Sequence, residues 1–318
     1  LRANESEMSP SGATMNPNPE IVHLENAMAE GDLFAVRRLV AKGIDPDTVL
    51  TGTSFTALTR AIILGKYELV QTLLDVGANP NLPDSRGEVP LNWACDDGDK
   101  EMCEILLASG ADPFRVNSEG KNAFWIACRK EHYDLFDELC KWVSKGKPCT
   151  PVGTNSPLSL AASYGRSKAI VHLLDGGLPL GGKDSDGATA LHRAAGKGHV
   201  ACISILLDRG AVVDAVDEDG LTPLDYACMS DLAEIAELLI ECGASVNSVD
   251  CLGNTPLHVC AAFGSSKCAR VLLRHRADVN VRRRDNATPL ELMKGDLEAW
   301  LASKGGSGLL NEDDRRPG

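Results

Sequence analysis

Two histidines set in the same phrase are the first candidates for chemistry in this 318-residue chain. His192 stands in Thr189-Ala190-Leu191-His192-Arg193-Ala194, and His258 in Thr255-Pro256-Leu257-His258. A histidine near neutral pH can act as a general base or as a metal ligand. The phrase returns, however, as Thr222-Pro223-Leu224-Asp225-Tyr226-Ala227 and as Thr288-Pro289-Leu290, 33 residues apart each time. Recurrence explains these histidines better as structure than as catalysis, and no catalytic residue is expected. Cys140 and Cys149 lie nine residues apart with His132 upstream, a spacing unlike that of a zinc module. Gly176-Gly177 and Gly181-Gly182 lack the Lys–hydroxyl ending of a phosphate-binding loop. No metal or cofactor is expected. Arg282-Arg283-Arg284 could make a short basic contact or an import signal, but sits beside Asp285 in an acidic protein, and nucleic acid is not the expected partner.

Composition narrows the class. The formal charge is −13, from 32 Lys and Arg against 45 Asp and Glu, which disfavours polyanions and favours basic partners. Aromatic residues make up only 4% of the chain, so Ala, Leu and Gly must carry the packing. No apolar run reaches membrane-spanning length, and the polar stretch up to Pro19 does not read as a signal peptide. Of eleven cysteines, Cys95, Cys128, Cys228 and Cys260 fall at or beside one small-residue position of the repeat, and Cys103, Cys202 and Cys268 at another. An odd number in repeat-locked places suggests reduced, buried thiols and a cytoplasmic location, with the nucleus as the second possibility.

The elements that position these residues follow from the period. Upstream copies lie at Thr56-Ala57-Leu58, Val89-Pro90-Leu91, Asn122-Ala123-Phe124 and Ser156-Pro157-Leu158, with a degenerate one at Leu24 to Ala27. That makes about nine units between residues 20 and 303. In the unit from Asp184 to Val216, Asp184-Ser185-Asp186-Gly187 is a turn and Thr189 caps a short helix carrying Leu191, Ala194 and Ala195. Gly198 breaks that helix, and a second one carries Val200, Ile203, Leu206 and Leu207 up to Gly210. Neither helix is long enough to be stable alone, so stacking must stabilise both.

This unit resembles the ankyrin repeat over nearly the whole folded length. The resemblance rests on the 33-residue period, the Asp-x-x-Gly turns at Asp84, Asp184, Asp217 and Asp250, the recurring Leu-Leu pairs, and Gly-Ala-x-x-Asn at Gly77 and Gly243. It implies an all-α solenoid of helix-turn-helix units with β-turn fingers, in which the histidine of the phrase hydrogen-bonds between fingers. It implies no chemistry. Ankyrin-like stacks bind other proteins along the inner surface made by first helices and finger tips. They also serve as arms of larger enzymes or channels, the second reading for this chain. Residues 1–19 and 304–318 are expected to be flexible, the latter as a tail or linker.

Departures from the period carry what function is legible. The unit from Asn117 to Thr150 has Glu131 where others have Gly, and a longer second helix from Tyr133. An irregular stacking step is expected near 131–155. The positions free to vary flank the turn glycine and end the first helix. They give as protein-binding candidates Phe55, Arg86, Glu88, Asp96, Asp97, Glu119, Arg129, Lys130, Tyr164, Asp186, Lys197, Asp219, Leu221, Met229 and Phe263. Asp96, Asp97 and Asp99 form an acidic cluster, and Phe55, Tyr164 and Phe263 are aromatics the repeat does not require. Trp93 and Trp125 read as packing residues. The expected partner is a protein or peptide with basic residues, bound to a chain that is monomeric by itself.

Overall fold

A computed structural model describes residues 19–145 and 156–292. Among them the chain is helical throughout, with two isolated β-bridges and no strand. The described residues fall into two compact units, one of residues 19–142 and one of residues 143–145 with 156–292.

The first unit begins with α1 (Pro19–Glu30) and α2 (Leu33–Ala41), followed by α3 (Ala57–Ile63) and α4 (Tyr67–Asp75), α5 (Pro90–Asp97) and α6 (Lys100–Ala108), and α7 (Ala123–Arg129) and α8 (Tyr133–Ser144), the last up to residue 142. The second contains α9 (Pro157–Ser163) and α10 (Ser167–Asp175), α11 (Ala190–Lys197) and α12 (Val200–Asp208), α13 (Pro223–Met229) and α14 (Ala233–Glu241), α15 (Pro256–Phe263) and α16 (Ser266–Arg274), and opens a further repeat with α17 (Pro289–Leu292). Within each unit first helices stack on one another, α3 on α5 on α7 and α9 on α11 on α13 on α15, and α3, α5, α9, α11, α13 and α15 also pack on the even-numbered helix that follows them.

Local chemistry sets these boundaries. Thr56, Asn122, Ser156 and Thr222 accept the N–H three residues ahead, and Pro90, Pro157, Pro223 and Pro256 occupy first turns where no N–H is needed. The core is made of small and aliphatic side chains, such as Leu91, Ala94 and Cys95 on α5 against Met102, Cys103 and Leu106 on α6. The seven cysteines assigned to the repeat interior are buried and form no disulfide among the described residues.

The fingers are joined by backbone bonds. Ser85 N–H donates to Ser54 O (2.8 Å) and Ser118 N–H to Gly87 O (3.1 Å) in the first unit. In the second, Glu218 N–H donates to Asp186 O (3.3 Å), Cys251 N–H to Asp219 O (2.9 Å), and Arg284 N–H to Leu252 O (3.0 Å). The turn glycines permit this approach. A Cβ on Gly187 would lie 2.6 Å from Glu218 Cγ, and Gly187 and Gly220 have φ of +73° and +82°.

A left-handed residue joins the two helices of each unit. Gly31, Gly65, Gly98, Gly165, Gly198 and Gly264 take this place, and so do Glu131 (φ 62°) and Asp231 (φ 51°). Asp231 offsets its strain by capping α16, its Oδ1 accepting from Lys267 N–H (2.9 Å) and Cys268 N–H (3.0 Å). Glu131 is exposed, and its side chain makes no capping hydrogen bond among the described residues. Glu131→Gly is therefore expected to stabilise the first unit by about 0.5–1 kcal/mol, read as a higher urea midpoint. An unchanged or lower midpoint counts against strain at this residue. Helix α8 is twelve residues long where α4, α6, α10 and α12 have nine. Of the stretch 131–155 where an irregular stacking step is expected, residues 146–155 lie outside the described residues.

Candidate protein-binding surface

The histidines of the repeated phrase are consumed by the fold. Thr189 N–H donates to His192 Nδ1 (3.1 Å), so that nitrogen carries no proton and Nε2–H donates to Leu221 O (3.0 Å), 29 residues ahead on the next finger. His258 repeats the pattern, accepting from Thr255 N–H (3.1 Å) and donating to Ala287 O (3.2 Å). Burial holds both imidazoles below the usual histidine range. His132 and His199 sit against the glycines that end first helices, and their Nε2–H groups donate to Asp96 O (3.3 Å) and Ser163 O (3.0 Å). No group of His, Cys, Asp and Glu able to hold a metal ion occurs among the described residues.

In the first unit most of the candidate residues are engaged within the chain. Phe55 requires a correction: it is 7% exposed, not a surface aromatic. Its finger closes on itself through Leu50 N–H to Phe55 O (3.0 Å), which turns the ring inward, edge-on to Trp93 at 5.8 Å and under the Arg86 guanidinium at 5.1 Å. Glu88 accepts from Asn92 Nδ2 (2.6 Å) and Asn117 Nδ2 (2.7 Å) and so ties two fingers together. Glu119 pairs with Lys121, whose ammonium lies 4.5 Å from the centre of the Trp125 ring.

The acidic cluster also divides. Asp96 pairs with Lys130 (2.8 Å), and Asp99 caps α6 while accepting from Tyr67 Oη–H (2.7 Å). Asp97 and Arg129 are exposed and form no salt bridge among the described residues. One acid of the three is thus left for a partner.

The second unit gathers its candidates. Tyr164 is 42% exposed, Asp186 is held by Arg193, and Lys197 projects from the end of α11. Asp219, Leu221, Met229 and Phe263 line one groove of about 340 Å³, whose wall includes Leu252 and Val259. Leu252 and Phe263 are each 60% exposed, an unusual cost for side chains of that size beside one another. The groove runs between finger tips and first helices, where successive repeats place equivalent residues. Val259 and Cys251 were absent from the sequence-derived set. Their offset in the repeat, matching Tyr226 and Glu218 one unit earlier, was the available signal.

The comparisons with known proteins agree with this geometry. Family profiles described as ankyrin repeats in three copies match residues 24–117, 65–150, 91–178 and 158–250, and one described as ankyrin repeats in many copies matches 239–293. The chain belongs to the ankyrin-repeat family. Its ankyrin repeats are 31% identical over 126 residues to the Ankyrin repeat and KH domain-containing protein mask-1 of Caenorhabditis elegans, covering 39% of this chain and 5% of that protein. They are 36% identical over 112 residues to the RelA-associated inhibitor of Mus musculus (35% of this chain, 13% of that protein). They are 37% identical over 92 residues to the E3 ubiquitin-protein ligase KEG of Arabidopsis thaliana (29% and 6%). The chain thus matches only a small part of each relative's length. Ankyrin repeats are in general non-catalytic modules that bind other proteins, and none of the described helices is long and apolar enough to cross a membrane.

Within these ankyrin repeats, Asp225 occupies the histidine position. Oδ2 accepts from Thr222 N–H (2.7 Å) and Oγ1–H (2.7 Å), but Oδ1 is buried without a partner. Burial, followed by the charges of Asp250 and Asp217, pushes its pKa up from 3.8 to about 6. A raised carboxyl pKa favours folding most below the unfolded value near 3.8, and that contribution is lost as pH rises through about 6. Asn92 is the neutral residue at the equivalent place: its Nδ2 reaches Lys121 O (3.3 Å) on the next finger, while its Oδ1, like that of Asp225, is buried without a partner. Asp225→Asn is expected to stabilise the second unit by about 1–2 kcal/mol at pH 7 and to remove its decline between pH 4 and 6. Urea denaturation across that range measures it. A less stable variant at pH 7 would show that the carboxylate is needed.

Proposed function

We propose that the chain is a non-enzymatic protein-binding module that holds a segment or domain of a partner along the finger tips and the ends of the first helices. The observation that carries this reading is the exposure of Leu252 and Phe263 around one groove, while the histidines are spent on the fold. A preference for basic residues in the partner is part of the proposal, supported by the net charge of −13 and by the exposed Asp97 and Asp219. The absence of a disulfide among the buried cysteines of the described residues supports a reducing compartment, the cytoplasm first and the nucleus second.

A second reading has its own support. A ubiquitin ligase and a potassium channel of Arabidopsis thaliana stand among the longer relatives, so these repeats fit equally the recruiting arm of a larger protein.

The test is site-specific photocrosslinking in cells of the source organism. A photoreactive phenylalanine analogue replaces Phe263 or Tyr164 on the finger side, and Glu234 on α14 as the control. Crosslinked adducts from the finger-side positions, absent from Glu234, are the expected result. Adducts formed only from Glu234 would overturn the assignment of the binding face.

A further inference from the structure

The groove of the second unit has an ordered surround. The backbone bonds between fingers put residues 33 apart in register, so Asp186, Asp219, Leu252 and Asp285 are equivalent, as are Ser185, Glu218, Cys251 and Arg284. Read along successive fingers, the tips pass from acidic (Glu218 and Asp219) through apolar (Leu252) to a finger carrying Arg282, Arg283 and Arg284. Glu218, Asp219 and Arg284 are exposed and make no salt bridge among the described residues. Arg283 is turned onto Asp285 (2.5 Å) and Asn254 (3.3 Å), so Arg284 and Arg282 present the positive charge, the latter 3.8 Å from Glu291. The apolar centre lies between the two charged ends, where Leu252 and Phe263 stand 60% exposed against Met229 and Leu221.

Building on the binding role proposed above, we infer that this groove takes an extended partner segment of graded charge. A large apolar side chain enters between Leu252 and Phe263. Lys or Arg lies over the finger of Glu218 and Asp219, and Asp or Glu over the finger of Arg282 and Arg284. Spacing follows from geometry. Neighbouring helices pack about 8–10 Å apart, and a segment extended as polyproline II advances about 3.1 Å per residue and brings every third side chain to the same face. Each charge therefore stands about three residues from the anchor. A uniformly basic segment meets Arg284 unfavourably, and a uniformly acidic one meets Asp219, so each end excludes the wrong partner.

The experiment uses the full chain and fluorescein-labelled nonapeptides with phenylalanine at position 5 in an alanine–serine background. Positions 2 and 8 carry Lys and Glu, Glu and Lys, Lys and Lys, or Glu and Glu. Both mixed peptides are included because an extended ligand can lie in either direction. Fluorescence anisotropy is expected to show at least one mixed peptide binding about tenfold more tightly than both like-charged ones. Arg284→Glu should move the preference to Lys/Lys, Asp219→Lys should move it to Glu/Glu, and Leu252→Asp with Phe263→Asp should remove binding of all four. Circular dichroism confirms that each variant is folded. Equal affinities for all four peptides, preferences unmoved by the two charge reversals, or no binding by any peptide would overturn the inference. Those outcomes leave the crosslinking result for the module as a whole standing.

Discussion

Phe124→Ala is expected to destabilise the first unit by about 3–5 kcal/mol, the range for truncating a fully buried phenylalanine. Phe124 is 0% exposed and is the middle ring of three. Phe114 lies 5.2 Å away at 41°, and Phe136 5.8 Å away at 78°, an edge-on contact. These rings join a finger, the first helix α7 and the second helix α8, so one truncation leaves a void shared by three elements. In a stack held together by contacts between neighbours, such a loss spreads to adjacent repeats. Three of the four tryptophans, Trp93, Trp125 and Trp142, belong to this unit, so tryptophan fluorescence in urea, read in a Trp300→Phe background, reports on it directly. Aromatic residues are only 4% of the chain, which makes their concentration here costly to lose. A midpoint within error of the parent chain would show that the site collapses without penalty.

His192→Ala is expected to cost the second unit about 2–4 kcal/mol, because it leaves Thr189 N–H and Leu221 O buried without partners and opens a cavity between α11 and the following finger. The same geometry fixes a pH dependence. Nδ1 must accept a backbone N–H, so the folded state needs a neutral ring, and burial lowers the pKa of both His192 and His258. A depressed histidine pKa gives a contribution that is complete above the unfolded value of about 6.5 and is lost as pH falls through the folded value. Stability from the two histidines is therefore expected to decline from pH 6.5 downward, opposite in sign to the effect of Asp225. Urea denaturation followed by circular dichroism at pH 7.5 and 5.0 should show a smaller loss on acidification in His192→Ala than in the parent. An equal or larger loss would mean that the ring is not held neutral.

The groove tests a different property. Leu252 and Phe263 are exposed, so replacing them should leave denaturation midpoints nearly unchanged while binding is lost. The contrast with Phe124 and His192 separates residues that hold the repeats from residues offered to a partner.

The sequence by itself determined the architecture. A 33-residue period with Thr-Pro-Leu phrases and turn glycines specifies helix ends and buried faces locally, because capping, φ > 0 and apolar spacing act over a few residues. It also placed seven of the cysteines in the interior and gave the phrase histidines a structural role. Only the tertiary structure decided which variable positions are free. Phe55, Glu88, Asp96 and Asp99 look like surface residues in the repeat pattern, yet Trp93, Asn117, Lys130 and Tyr67 engage them from a neighbouring helix or finger. Such pairings depend on which side chains stand opposite one another 29 to 38 residues apart, and a single repeat does not encode that register. The same packing left Asp219, Leu252 and Phe263 unclaimed, and that is a property of the neighbours they lack.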